Sequence, residues 1–192
     1  RARELAAIAA VIEAAGGSAV LCGHSSGCAL ALAAADAGLP VTGLALWEAP
    51  LASPADDTQA WCDEIERRID AGDFEGALEH YMKDMPPEWL AGAKASPDWP
   101  QIAASVVNQL ADAQSLAWAQ RALETHALAD IDVPVLAMYG TQTFPPMPAA
   151  AASLAAVLPQ AEVKEMPGAM HMWEPEPMGA ELAAFTIRCS LA

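Results

Sequence analysis

The sequence predicts an α/β fold: a mostly parallel sheet interrupted by a helical insertion. Three observations carry that expectation. Short apolar runs at residues 18–22, 41–47 and 133–139 have the length of buried strands. Helical patterns separate these runs, as parallel strand connections require. Between residues 51 and 129 the strand patterns vanish, leaving only helical stretches broken by proline.

The elements follow in order. Residues 4–15 carry Leu5, Ile8, Val11 and Ile12 at helical spacing, and Gly16-Gly17 ends that helix. Residues 18–22 read as a buried strand, 23–27 as a tight turn, and the Ala- and Leu-rich stretch 28–37 as a buried helix closed by Gly38. Pro40 introduces the strand 41–47. In the insertion, helices are expected over 57–71, 74–85 and through 101–123, separated by Pro86-Pro87, Pro97 and Pro100. Trp61, Trp89, Trp99 and Trp118 fall here, either lining a pocket or packing the insertion onto the sheet. The α/β pattern returns with a strand at 133–139, a helix at 148–158, a short strand at 162–166, a loop at 167–177 and a last helix at 179–189. The expected division is therefore core (1–50), helical cap (51–129) and core (130–192).

Composition narrows the function. Hydrophobic residues make up 54% of the 192, enough for a sizeable core. No apolar run reaches the roughly 18 residues of a membrane span. Nine Lys and Arg against 25 Asp and Glu, net −16, cannot build the basic footprint of a nucleic-acid binder or an anionic-membrane binder. A small molecule is the expected partner. Cys22, Cys28, Cys62 and Cys189 form no CxxC pair, which argues against zinc and fits a reducing cytoplasm. Cys22 and Cys28 read as small buried hydrophobes. No metal or cofactor enters this reading.

The chemistry concentrates in Gly23-His24-Ser25-Ser26-Gly27, a GxSxG pattern between a strand and a helix. Such a turn holds its serine in a strained conformation at a helix N-terminus. There the dipole and the N–H of Ser26 stabilise a developing oxyanion. Side chains at Gly23 and Gly27 are expected to crowd the neighbouring strand and helix. His171 stands after the last strand, behind Pro167-Gly168. His24 is expected to take no part in proton transfer, and His80 and His126 read as surface residues of the insertion.

These pieces resemble the α/β-hydrolase family, in particular small bacterial esterase-like members with a helical cap. The resemblance rests on VLCGHSSG, LALWEAP, VPVLAMYG and EMPGAMH, and spans nearly the whole chain. It implies Ser25 as nucleophile and His171 as general base, in a serine hydrolase acting on small carboxylic esters or lactones. It also implies several strands before the elbow, one followed by a loop that supplies an oxyanion-hole N–H. The chain opens on Arg1 within a helical pattern. The expected structure is thus the C-terminal part of an α/β-hydrolase fold, with Ser26 as the evident oxyanion donor.

The acid departs from the family pattern. The aspartate expected after VLAMYG is missing, for Thr141, Gln142, Thr143 and Phe144 follow Gly140. The end of the preceding strand offers Glu48 instead, with Asp56 and Asp57 as poorer choices. The competing expectations are a Ser–His dyad, cofactor-free haloperoxidase or perhydrolase chemistry, and a non-catalytic member that binds a small molecule in the same pocket.

Overall fold

The computed structural model of the chain describes residues 2–191. Its elements are α1 (Ala2–Ala14), β1 (Ala19–His24), α2 (Gly27–Asp36), β2 (Val41–Trp47), α3 (Ala55–Asp70), α4 (Phe74–Tyr81), α5 (Pro87–Lys94), α6 (Trp99–Ala104), α7 (Val106–Glu124), a 3₁₀ turn (Ala127–Asp130), β3 (Val135–Gln142), α8 (Met147–Val157), β4 (Ala161–Ala169), β5 (Met172–Trp173) and α9 (Pro175–Cys189). Among these residues the sheet runs β1-β2-β3-β4-β5; β1 to β4 are parallel and β5 returns antiparallel to β4.

Alternation along β2 explains the layering. Leu44 and Leu46 face a core shared with Ile12, Leu32, Leu128 and Leu154, the side covered by α1, α2, α7 and α8. Ala45 and Trp47 face the opposite side, against Leu136, Met138, Phe185 and Cys189, where α9 packs. A strand buried on both faces is apolar throughout, which is why residues 41–47 stand out in the sequence.

The insertion is helical, with two departures from expectation. Residues 101–123 form two helices, broken at Ser105, whose hydroxyl bonds back to the Ile102 carbonyl at 2.7 Å. Helix α5 goes unsignalled in the sequence because it is short and buries none of its residues fully. Helix α7 ties the insertion to the core. Leu116, Ala119 and Leu123 join the main cluster, while Ala113 and Ala117 pack on Cys62 and Ile65 of α3. A helix buried on two sides shows no single apolar stripe.

Two other expectations need correction. Cys22 is exposed rather than buried, on a strand that pairs with β2 alone among the described residues. His80 is half-buried rather than superficial, with Nε2 enclosed and unpartnered; burial pushes its pKa down. Among the described residues no helix is long and apolar enough to cross a membrane.

Candidate active site

Ser25 follows β1 with φ of 56°, in the left-handed region that a side chain normally avoids. Hydrogen bonds hold it there. Its N–H donates to the Trp47 carbonyl at 3.0 Å, and its own carbonyl accepts from Cys28 N–H at 3.0 Å. Ser26 then caps α2, so its N–H stands at the positive end of that helix. The steric expectation for the glycines holds at one of the two. A Cβ on Gly23 would come within 2.7 Å of the Cys28 Cα, whereas at Gly27 it would meet nothing within 4 Å.

Glu48 stands one residue beyond β2, with φ of 47°. It is 2% exposed, and a bare carboxylate there would be costly. Three donors satisfy it. Gly140 N–H reaches Oε1 at 2.9 Å, the Thr143 hydroxyl reaches the same oxygen at 2.5 Å, and Nδ1 of His171 lies 2.5 Å from Oε2. Gly140 has a steric reason to be glycine, since a Cβ would sit 2.9 Å from the Gly168 carbonyl oxygen and 3.1 Å from Glu48 Oε1. An imidazole that donates from Nδ1 to a carboxylate carries its lone pair on Nε2.

His171 does not lie in an irregular loop. Strands β4 and β5 pair Ala169 with Met172, so Met170 and His171 form a two-residue hairpin turn. Both have positive φ, 52° and 71°, as a tight hairpin of this kind demands. Asn-Gly would signal such a turn; Met-His does not. Two donors converge on the His171 carbonyl: Trp47 Nε1 at 3.1 Å and His24 Nε2 at 3.0 Å. The Phe144 ring covers His171 at 5.9 Å between centroids and meets Trp89 of α5 edge-on at 5.9 Å.

These groups share a cleft of about 720 Å³ lined by Ser25, Ser26 and His171, with Trp61, Trp89, Phe144 and Met147 among its apolar walls. No hydrogen bond joins the Ser25 and His171 side chains among the described residues; apo geometry of this kind does not rule out a general base, since such bonds tighten as the reacting complex forms. Of the four tryptophans in the insertion, Trp61 and Trp89 line the cleft. Asp57 lines it too, away from the imidazole bond, while Asp56 is exposed and pairs with Arg121. Burial pushes the Asp112 carboxyl up, against the pull of the Ser26 side chain. Burial also pushes Tyr81, on the cleft wall, up to about 12 and keeps it a neutral phenol.

Residues 1–185 match the model of the alpha/beta hydrolase family. The chain belongs to that family. It is similar to an alpha/beta hydrolase from Sphaerobacter thermophilus, with 30% identity, a TM-score of 0.73, and coverage of 93% of this chain and 71% of that one. It also resembles a thermophilic esterase from Thermogutta terrifontis (20% identity, TM-score 0.56, 95% and 70% covered). A third structure is the proline iminopeptidase of Mycobacterium smegmatis (20%, 0.55, 97% and 71%). The last two likenesses bear on fold alone. Among curated proteins none matches. As an α/β-hydrolase, the chain is a hydrolase by family. The sequence drew attention to Ser25, Ser26, Glu48 and His171; the fold brings Ser25, Ser26 and His171 to one cleft and sets Glu48 buried behind His171. It passed over Thr143 and Gly140, whose contacts with Glu48 span 95 and 92 residues and leave no local pattern.

Proposed function

We propose that the chain is a serine hydrolase that cleaves small carboxylic esters or lactones through an acyl-enzyme. The observation that carries this reading is the bond from His171 Nδ1 to the buried, fully hydrogen-bonded Glu48, at a cleft shared with Ser25. In the proposed reaction His171 Nε2 takes the Ser25 proton as Oγ attacks the substrate carbonyl. The oxyanion forms against the Ser26 N–H at the head of α2. Glu48 stabilises the imidazolium, which then passes its proton to the departing alcohol. Water, deprotonated by His171, releases the acid and restores Ser25.

The cleft lining favours an apolar, uncharged substrate. Trp61, Trp89, Phe144, Met85, Met147 and Leu116 supply the walls. Asp57 and Asp84 outnumber Lys83 there, and Lys83 lies 3.9 Å from Asp84, so an anionic acyl group finds no free cation among these residues.

A fluorophosphonate probe tests the nucleophile. Ser25 is expected to carry the label, and Ser25→Ala to lose both labelling and ester turnover, while Ser26→Ala keeps both. Labelling that persists in Ser25→Ala overturns the assignment. A wild-type chain that binds small apolar esters but neither labels nor turns them over would support the binding-protein reading instead.

A further inference from the structure

We infer that His24 is a positioning residue of the proposed hydrolase: through Nε2 it grips the His171 carbonyl and so aims the imidazole. The inference rests on the catalytic reading of His171 given above. It starts from a local conflict. Met170 and His171 both hold left-handed backbone without being glycine or asparagine, a conformation strained for either side chain. Contacts from outside the turn fix it: the Met170 N–H donates to the Gln142 carbonyl at 3.3 Å, and two side chains converge on the His171 carbonyl.

Two rings donate to that oxygen from different elements. Trp47 ends β2, is wholly buried and packs its indole edge-on to Trp173 at 5.7 Å. It is a fixed wall. His24 ends β1, immediately before Ser25, and is half-buried at the cleft. Its ring lies 4.7 Å from the His171 ring and stands edge-on to Trp173 at 5.2 Å. The bond at 3.0 Å therefore couples the residue beside the nucleophile to the residue that bears the base, across 147 positions of sequence.

The chemistry of the contact fixes the tautomer. A carbonyl only accepts, so His24 carries hydrogen on Nε2. The neutral Nε2–H form and the cation both satisfy this, and the grip persists whichever is present. With Nε2 held by a carbonyl, that nitrogen is withdrawn from proton transfer, and the role left to it is alignment. Alignment matters here because the imidazole must serve Glu48 at one nitrogen and Ser25 at the other, and small misplacements of a reacting group are costly.

Three variants test this. Glutamine places its amide nitrogen as many bonds from Cβ as the imidazole Nε2, so His24→Gln keeps the donor. Asparagine falls one bond short, and leucine removes the donor altogether. In ester turnover, His24→Leu and His24→Asn are expected to lose about tenfold in kcat with KM within twofold, the scale of one hydrogen bond. His24→Gln is expected to recover to within about threefold of wild type. Independently of turnover, the His171 Nδ1 proton held by Glu48 should give a downfield proton NMR signal in wild type and His24→Gln. That signal should weaken or broaden in the other two. Full kcat and an unchanged signal in His24→Leu overturn the inference. So does a loss that glutamine fails to restore, or a loss expressed in KM, either of which makes His24 a packing residue of the cleft wall. A wild type without ester turnover sinks the proposed function alone, and the NMR arm still decides on His24.

Discussion

At the scale of single residues the site is a concentration of strain. Among the described residues, Ser25, Glu48, Met170, His171 and His126 are the non-glycine positions with positive φ, and all but His126 lie at the site. Those four are each pinned by a contact from another element, so the strain at the site is held by the fold rather than by local sequence. Glu48 is the residue on which the proposed chemistry turns. Glu48→Gln is expected to lower kcat by about 10² or more with KM little changed, because a neutral amide cannot stabilise the imidazolium formed after substrate binds. Steady-state kinetics check this, and a rate within a few-fold of wild type would mean that Ser25 and His171 act as a dyad. Glu48 was legible as a candidate because a strand ends in Trp47-Glu48 and no carboxylate follows Gly140. Its partners were not, since a hydroxyl such as that of Thr143 has no signature until the strands are laid side by side. The turn at Met170-His171 was illegible for a different reason: neither residue type announces positive φ, and Trp47 and His24, which grip it, lie far off in sequence.

At the scale of elements, the two-residue β5 left no mark in the sequence, but β2 and β3 were readable because parallel strands buried on both faces are written as nearly unbroken apolar runs. The insertion was less so. Its helices end at bonds such as Ser105 to Ile102 and at short turns without strong periodicity. Helix α7 decides how the insertion behaves, since one set of its residues packs on the sheet side and another on α3. Ile65, with no exposed surface, is enclosed by Cys62, Ala113 and Ala117. Ile65→Ala should cost about 2–4 kcal/mol, the range for truncating a buried branched side chain. Because α7 is shared, urea unfolding followed by far-UV circular dichroism should remain a single transition with a lower midpoint. Two separate transitions would show that the insertion melts by itself and that α7 does not couple it to the core.

At the scale of the whole molecule, charge sets the terms. With 25 acidic and nine basic residues, the net charge of −16 makes repulsion among carboxylates the dominant long-range term. Ion pairs such as Arg188–Glu162 and Lys94–Glu79 offset part of it, but they lie at the surface, where such pairs contribute little. Salt weakens both, and the excess of like charge decides the sign. Raising sodium chloride from about 10 to 150 mM shortens the Debye length from roughly 30 to 8 Å and should raise the melting temperature by a few degrees. Calorimetry at fixed pH checks this; a melting temperature that falls with salt would show that the ion pairs outweigh the repulsion.

The grip on Glu48 has a bearing on how such a site can evolve. Its Oε1 is held by Gly140 and Thr143, both from the end of β3, although the carboxylate itself arrives from the end of β2. Thr143, just past β3, thus reaches the same carboxylate that bonds His171. An acid carried at the end of β2 and one carried just past β3 would therefore be neighbouring solutions, one side chain apart. A chain passing between them would for a time hold both carboxylates around one imidazole. Like charges that close cannot both ionise, so one would keep its proton. A chain that moved its acid between these strand ends through such a state would carry a spare, protonated carboxyl beside the working one.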